Sequence, residues 1–136
     1  MKITYKQYQD IKKFFETKST EYREQCFDTI KKDLRKCIAP LFEVLSRLKL
    51  VEEDFNRKDF FTSSFIAEEE VAKVKKAFEE TELKLKSSEY AKYYSIDFSI
   101  DANNFLDCDI HIKNWDVMLK AQENFEKMNV SSFELL

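Results

Sequence analysis

The chain contains no glycine in its 136 residues, and that absence narrows both the turns it can make and the chemistry it can carry. Glycine takes positive φ without a steric penalty and lets backbone approach a ligand closely. Phosphate loops, dinucleotide-binding turns, nucleophile elbows and calcium loops are built on it. None of these can exist here in its usual form. Tight turns must fall to Asn, Asp and Ser, whose side chains tolerate or imitate the same geometry.

The strongest remaining pattern is helical. Phe27, Ile30, Leu34, Cys37, Leu41, Val44, Leu48, Val51 and Phe55 fall at alternating steps of three and four, which is an apolar heptad seam. Cys26, Ile38, Phe42, Leu45 and Leu50 widen the stripe beyond a two-stranded coiled coil, and a wide stripe belongs to a globular core. The seam therefore reads as the spine of one domain, with Leu34 and Leu48 as core positions. A homodimer through it is the less favoured reading. Pro40 interrupts the seam, because it lacks an N–H for the carbonyl of Lys36 and biases Ala39 away from helical geometry. A break near Ile38–Ala39 is expected, with a Pro-kinked continuous helix as the alternative.

Thr4 and Gln7 match a capping box, and Tyr5, Tyr8, Ile11, Phe14 and Phe15 recur at helical spacing, so a first helix is expected over about 5–17. The polar run Thr17-Lys18-Ser19-Thr20 reads as a break, with Ser19 or Thr20 capping the next helix. Residues 59–66 fit either a short strand or a buried connector. Ser64 is the expected cap of a helix that opens with Glu68, Glu69 and Glu70 and turns Ala67, Val71, Val74, Phe78 and Leu85 to one face. Tyr94, Ile96, Phe98 and Ile100 alternate with polar residues, and Leu106, Cys108, Ile110 and Ile112 resume the alternation after Ala102-Asn103-Asn104. That predicts a β-hairpin over about 94–113, with Ile100 opposite Leu106. Asn114 is the expected N-cap of a last helix with Met118, Ala121, Phe125 and Met128 inward, and Phe133, Leu135 and Leu136 suggest a docked tail. The fold class is thus α+β: about five helices packed on a small antiparallel sheet, in a single domain over 1–136.

Apolar residues make up 43% and charged residues 36% of the chain, with 13 Phe, 6 Tyr and 1 Trp, a composition of compact proteins rather than disordered ones. No apolar run resembles a signal peptide or a membrane span, and three widely spaced cysteines argue for reduced thiols. Cytoplasmic residence is the expectation. Residues 1–58 carry 14 Lys and Arg against 10 Asp and Glu, whereas 59–136 carry 9 against 16. A net acidic chain without a dense basic run is poorly suited to nucleic acid. An acidic half suits a basic protein surface.

Two constellations carry conceivable chemistry. Cys26, Cys37, Cys108 and His111 have the residue types of a zinc set, but Cys108 and His111 lie three apart on a strand and point to opposite faces. Neither a metal nor a cofactor is expected. The hairpin's polar face gathers Asp97, Asp101, Asp107, Asp109 and His111 as candidate partner-binding residues, with Lys113 beyond them. Facing carboxylates such as Asp97 and Asp109 repel unless a cation lies between them. Asp109-Ile110-His111-Ile112-Lys113, preceded by Asp97, resembles the carboxylate and x-Lys pattern of the PD-(D/E)xK nucleases over about twenty residues, with His111 at a position where the family has an acid. That resemblance implies a divalent-metal nuclease or phosphodiesterase using Asp97, Asp109 and Lys113. The favoured expectation is non-catalytic: a protein-interaction module serving as inhibitor or adaptor. In size, acidity and lack of catalytic motifs it is similar to bacterial immunity proteins and phage-encoded anti-defence proteins.

Overall fold

The computed structural model describes residues 2–51, 59–128 and 134–135. Phe55 of the seam and Phe133 and Leu136 of the tail lie outside these. In chain order the elements are β1 (Lys2–Ile3), α1 (Tyr5–Arg47), β2 (Asp59–Phe65), α2 (Glu68–Ser87), a 3-10 turn at Ala91–Tyr93, β3 (Tyr94–Ile100), β4 (Phe105–Ile112), α3 (Asn114–Met128) and β5 (Glu134–Leu135). β2, β4 and β3 form an antiparallel three-stranded sheet with β4 in the centre, and β1 and β5 form a short parallel pair. The class is α+β. No helix among the described residues is long and apolar enough to cross a membrane.

Among the described residues the expected five helices are three, because residues 5–47 form one helix of 43 residues. Its start follows the capping box: Thr4 N–H donates to Gln7 Oε1 at 2.9 Å, and Gln7 N–H donates to Thr4 Oγ1 at 3.2 Å. The expected break at 17–20 is absent. Thr17 and Thr20 return their hydroxyls to the carbonyls of Lys13 and Glu16, each at 3.0 Å, and Ser19 donates to Gln122 Oε1 at 2.5 Å. Hydroxyls satisfied within a helix, or by a neighbouring one, do not need to cap it.

The break at Ile38–Ala39 is absent as well. At the proline the helix loses one ladder bond and crowds the preceding turn. α2 supplies a partner at that point, where the N–H of Leu41 donates to the hydroxyl of the fully buried Thr81 at 3.2 Å. A cross-helix bond to a disturbed ladder is one way a Pro-containing helix stays continuous.

α1 ends in a glycine-free version of a usual stop signal. Lys49 adopts φ 58°, its N–H bonds the carbonyl of Ser46 at 3.0 Å, and the N–H of Leu50 bonds that of Leu45 at 2.9 Å. This is the paired pattern of a Schellman motif, with lysine at the left-handed position where glycine is usual. The stop also alters the seam. Phe27, Ile30, Leu34, Cys37 and Leu41 are buried as expected, but beyond Leu41 the buried position is Leu45, while Val44, Leu48 and Val51 are only half-buried.

The chain groups into two compact units, Met1–Asp28 with Asn114–Leu136, and Thr29–Lys113. In the first, Phe125 of α3 meets Phe15 and Tyr22 of α1, with ring centroids 6.5 Å and 5.9 Å apart. Val117 and Ala121 are its buried α3 positions; Met128, expected inward, is exposed. In the second, the buried residues Val74, Ala77, Thr81 and Leu85 of α2 and Leu106, Cys108, Ile110 and Ile112 of β4 join those of α1. Ser64 lies in β2 rather than capping α2, whose N-cap is Ala67. Phe78 of α2 stacks on Phe98 of β3 at 3.9 Å.

Leu34→Ala is expected to lower stability by about 2–5 kcal/mol, and Leu48→Ala by clearly less, since only the first leaves a cavity in a closed core. Urea unfolding of both variants measures the contrast; equal losses would place the core boundary beyond the helix end. Lys49→Gly should raise stability by about 0.5–1 kcal/mol by removing the left-handed penalty, read from the denaturation midpoint.

Candidate functional site

Each strand of the sheet turns alternate residues to opposite faces. Phe60, Thr62, Tyr94, Leu106, Cys108, Ile110 and Ile112 are buried on the inner face. The outer face then follows from the register. Phe61 pairs with Asp109, which pairs with Asp97; Ser63 pairs with Asp107, which pairs with Ser99; Phe65 pairs with Phe105; and His111 pairs with Ser95. The result is a grid of carboxylates and phenyl rings.

On this grid Phe61 is 59% and Phe65 69% exposed, and Phe65 meets Phe105 edge to face at 5.0 Å. Asp97 and Asp107 are exposed, and Asp109 and His111 are half-buried. His111 Nδ1 lies 3.2 Å from Asp109 Oδ1. Among the described residues, Asp97 and Asp107 have no ion-pair partner. Directly opposed carboxylates such as Asp97 and Asp109 cost stability.

Of the residues singled out by sequence, Asp97, Asp107, Asp109 and His111 share this face. Asp101 does different work. Its Oδ1 accepts the N–H groups of Asn103 at 2.8 Å and Phe105 at 3.0 Å, closing the β3–β4 turn. Asn104 takes the left-handed position there at φ 60°, the substitute for glycine that a chain without it requires. Lys113 lies four residues beyond Asp109, about 13 Å along an extended chain, and so stands apart from the facing carboxylates. Among the described residues no group of three or more His, Cys, Asp and Glu side chains could hold a metal ion.

Phe61, Phe65 and Phe105 were not candidates from sequence, yet the signal was present. Asp59-Phe60-Phe61-Thr62-Ser63-Ser64-Phe65 puts phenyl rings at both odd and even positions. If Phe60 faces the core, Phe61 and Phe65 must face out.

Beneath the sheet, Cys108 is fully buried and its thiol is pushed up to about 12, first by burial and then by the charges of Asp109, Asp107 and Asp97. The other polar cluster is structural. Asp33 Oδ2 accepts from Tyr94 OH, from Ser88 Oγ at 2.5 Å and from Cys37 Sγ at 3.7 Å. Burial, with the Asp33 carboxylate beside them, raises Tyr94 and moves Cys37 up to about 11. Both stay protonated as donors, tying α1 to β3 and to the residue after α2. All three cysteines are free thiols, of which Cys26 is half-buried and the others buried.

Comparison with protein-family models, with curated proteins and with solved structures finds no match.

Asp97→Asn removes one of two facing charges without removing a hydrogen bond, so it should stabilise the fold by about 0.2–1 kcal/mol at low salt. The gain should shrink as salt is added. A loss of stability in thermal unfolding at low ionic strength would show that Asp97 is paired in solution.

Proposed function

We propose that this chain is a non-catalytic, cytosolic protein-interaction module, an inhibitor or adaptor, that binds a basic protein partner through the outer face of its sheet. The observation that carries the reading is the pair of exposed rings, Phe61 and Phe65, with the half-buried Phe105 against Phe65, lying among Asp97, Asp107 and Asp109. Exposed aromatic clusters with a charged surround are typical of interface centres. Among the described residues Asp97 and Asp107 have no ion-pair partner, which favours a positively charged partner. Three free thiols support a reducing compartment.

The nuclease alternative has less support, since Lys113 stands away from Asp97 and Asp109. The acidic surround also repels phosphates.

The reading is tested by capture from cells that express the chain natively, using the wild-type protein beside a Phe61→Ser, Phe65→Ser variant. Both substitutions are at exposed positions and should leave the unfolding midpoint nearly unchanged. A partner held by wild type, released by moderate salt and lost from the variant is the expected result. Recovery of no partner, or of partners held equally by both proteins, would overturn it.

A further inference from the structure

The geometry points to a partner segment that presents arginine side chains to this face, an inference that rests on the interaction reading above and narrows it to one chemistry. Phe61, Asp109 and Asp97 stand in one row across the three strands, with neighbouring side chains about 5 Å apart. Asp97 has no ion-pair partner among the described residues, and Asp109 has only the imidazole of His111. The row therefore attracts a cation from outside.

Three kinds of cation can be compared. Divalent ions need several oxygen ligands at short range, and among the described residues no group of three ligating side chains is in place for one. A lysine ammonium balances charge as a point, but it gains little from planar recognition. A guanidinium uses both neighbours at once: its fork takes a carboxylate bidentately, while its plane lies over the ring beside it. The row offers that pair, with the more than half exposed Phe61 next to Asp109.

A second carboxylate follows along β4. Asp107 stands two residues from Asp109, flanked in its own row by Ser63 and Ser99, and the Phe65–Phe105 pair occupies the row after it. Two residues along a strand span about 7 Å. That is also the spacing of side chains at alternate positions of an extended peptide, so the face fits a segment with arginine at every second residue.

The probe is a short synthetic peptide of alternating arginine and valine, titrated into the full isotope-labelled chain beside its lysine counterpart and Mg²⁺ alone, with amide chemical shifts as readout. The arginine peptide should move the signals of Phe61, Asp97, Asp107 and Asp109, and should bind about tenfold more tightly than the lysine peptide. Phe61→Ser should erase that preference, and Asp97→Asn should weaken both peptides while leaving the chain folded. Equal binding of the two peptides overturns the arginine assignment. So do shifts confined to other surfaces, no shifts at millimolar peptide, or the same shifts produced by Mg²⁺ at matching concentration. None of these outcomes decides the interaction reading, which fails separately if capture yields no partner dependent on Phe61 and Phe65.

Discussion

The bond from the Leu41 amide to the Thr81 hydroxyl lies at the point where the chain's longest element is weakest. Pro40 removes a ladder bond in mid-helix, and without a partner nearby the disturbed turn would face the core with polar groups unmet. Thr81 occupies a position on α2 that periodicity would otherwise give to an apolar side chain, between Ala77 and Leu85. One hydroxyl thereby serves two helices. The buried stripe of α1 stays in register from Ile30 to Leu45, and that stripe faces the core on which the sheet's inner side is laid.

The sequence made the α+β class, the capping box and the alternating strands legible, because each is written in neighbouring residues. It left the continuity of α1 open at Pro40, where a kinked continuous helix was the alternative, and pointed to a break at 17–20, for a physical reason that can be located. Thr17-Lys18-Ser19-Thr20 and Ala39-Pro40 look like interruptions when only adjacent positions are considered. The groups that neutralise them include Gln122 and Thr81, separated from their partners by 103 and 40 residues. Local propensity was overridden by tertiary hydrogen bonds. The face of the sheet divides in the same way. Its acids were readable from alternation in the hairpin, whereas Phe61 and Phe65 sit on β2, whose two-sided aromatic content hid the period.

A sheet that opposes Asp97 to Asp109 and leaves phenyl rings exposed holds features that do not help it fold. Two such features on one surface, complementary in what they would bind, are a stronger argument than either alone. On the proposed reading stability and recognition are opposed: the carboxylates that repel each other in the isolated sheet would relax on meeting a cation. Asp101 shows the contrast, since one oxygen of its carboxylate accepts two backbone amides and so closes the turn of the same hairpin.

The position of Cys108 has a consequence for observing that surface. The thiol hangs from the central strand on the inner side, sealed from solvent, while Asp107 and Asp109 flank it in sequence and point outward. Part of the force that holds its proton comes from those charges, transmitted through one layer of backbone. A positive group settling on the outer face would offset some of that field and so ease ionisation of the thiol by electrostatics alone. The proton on Cys108 is thus coupled to the charge on a face that the sulfur never touches.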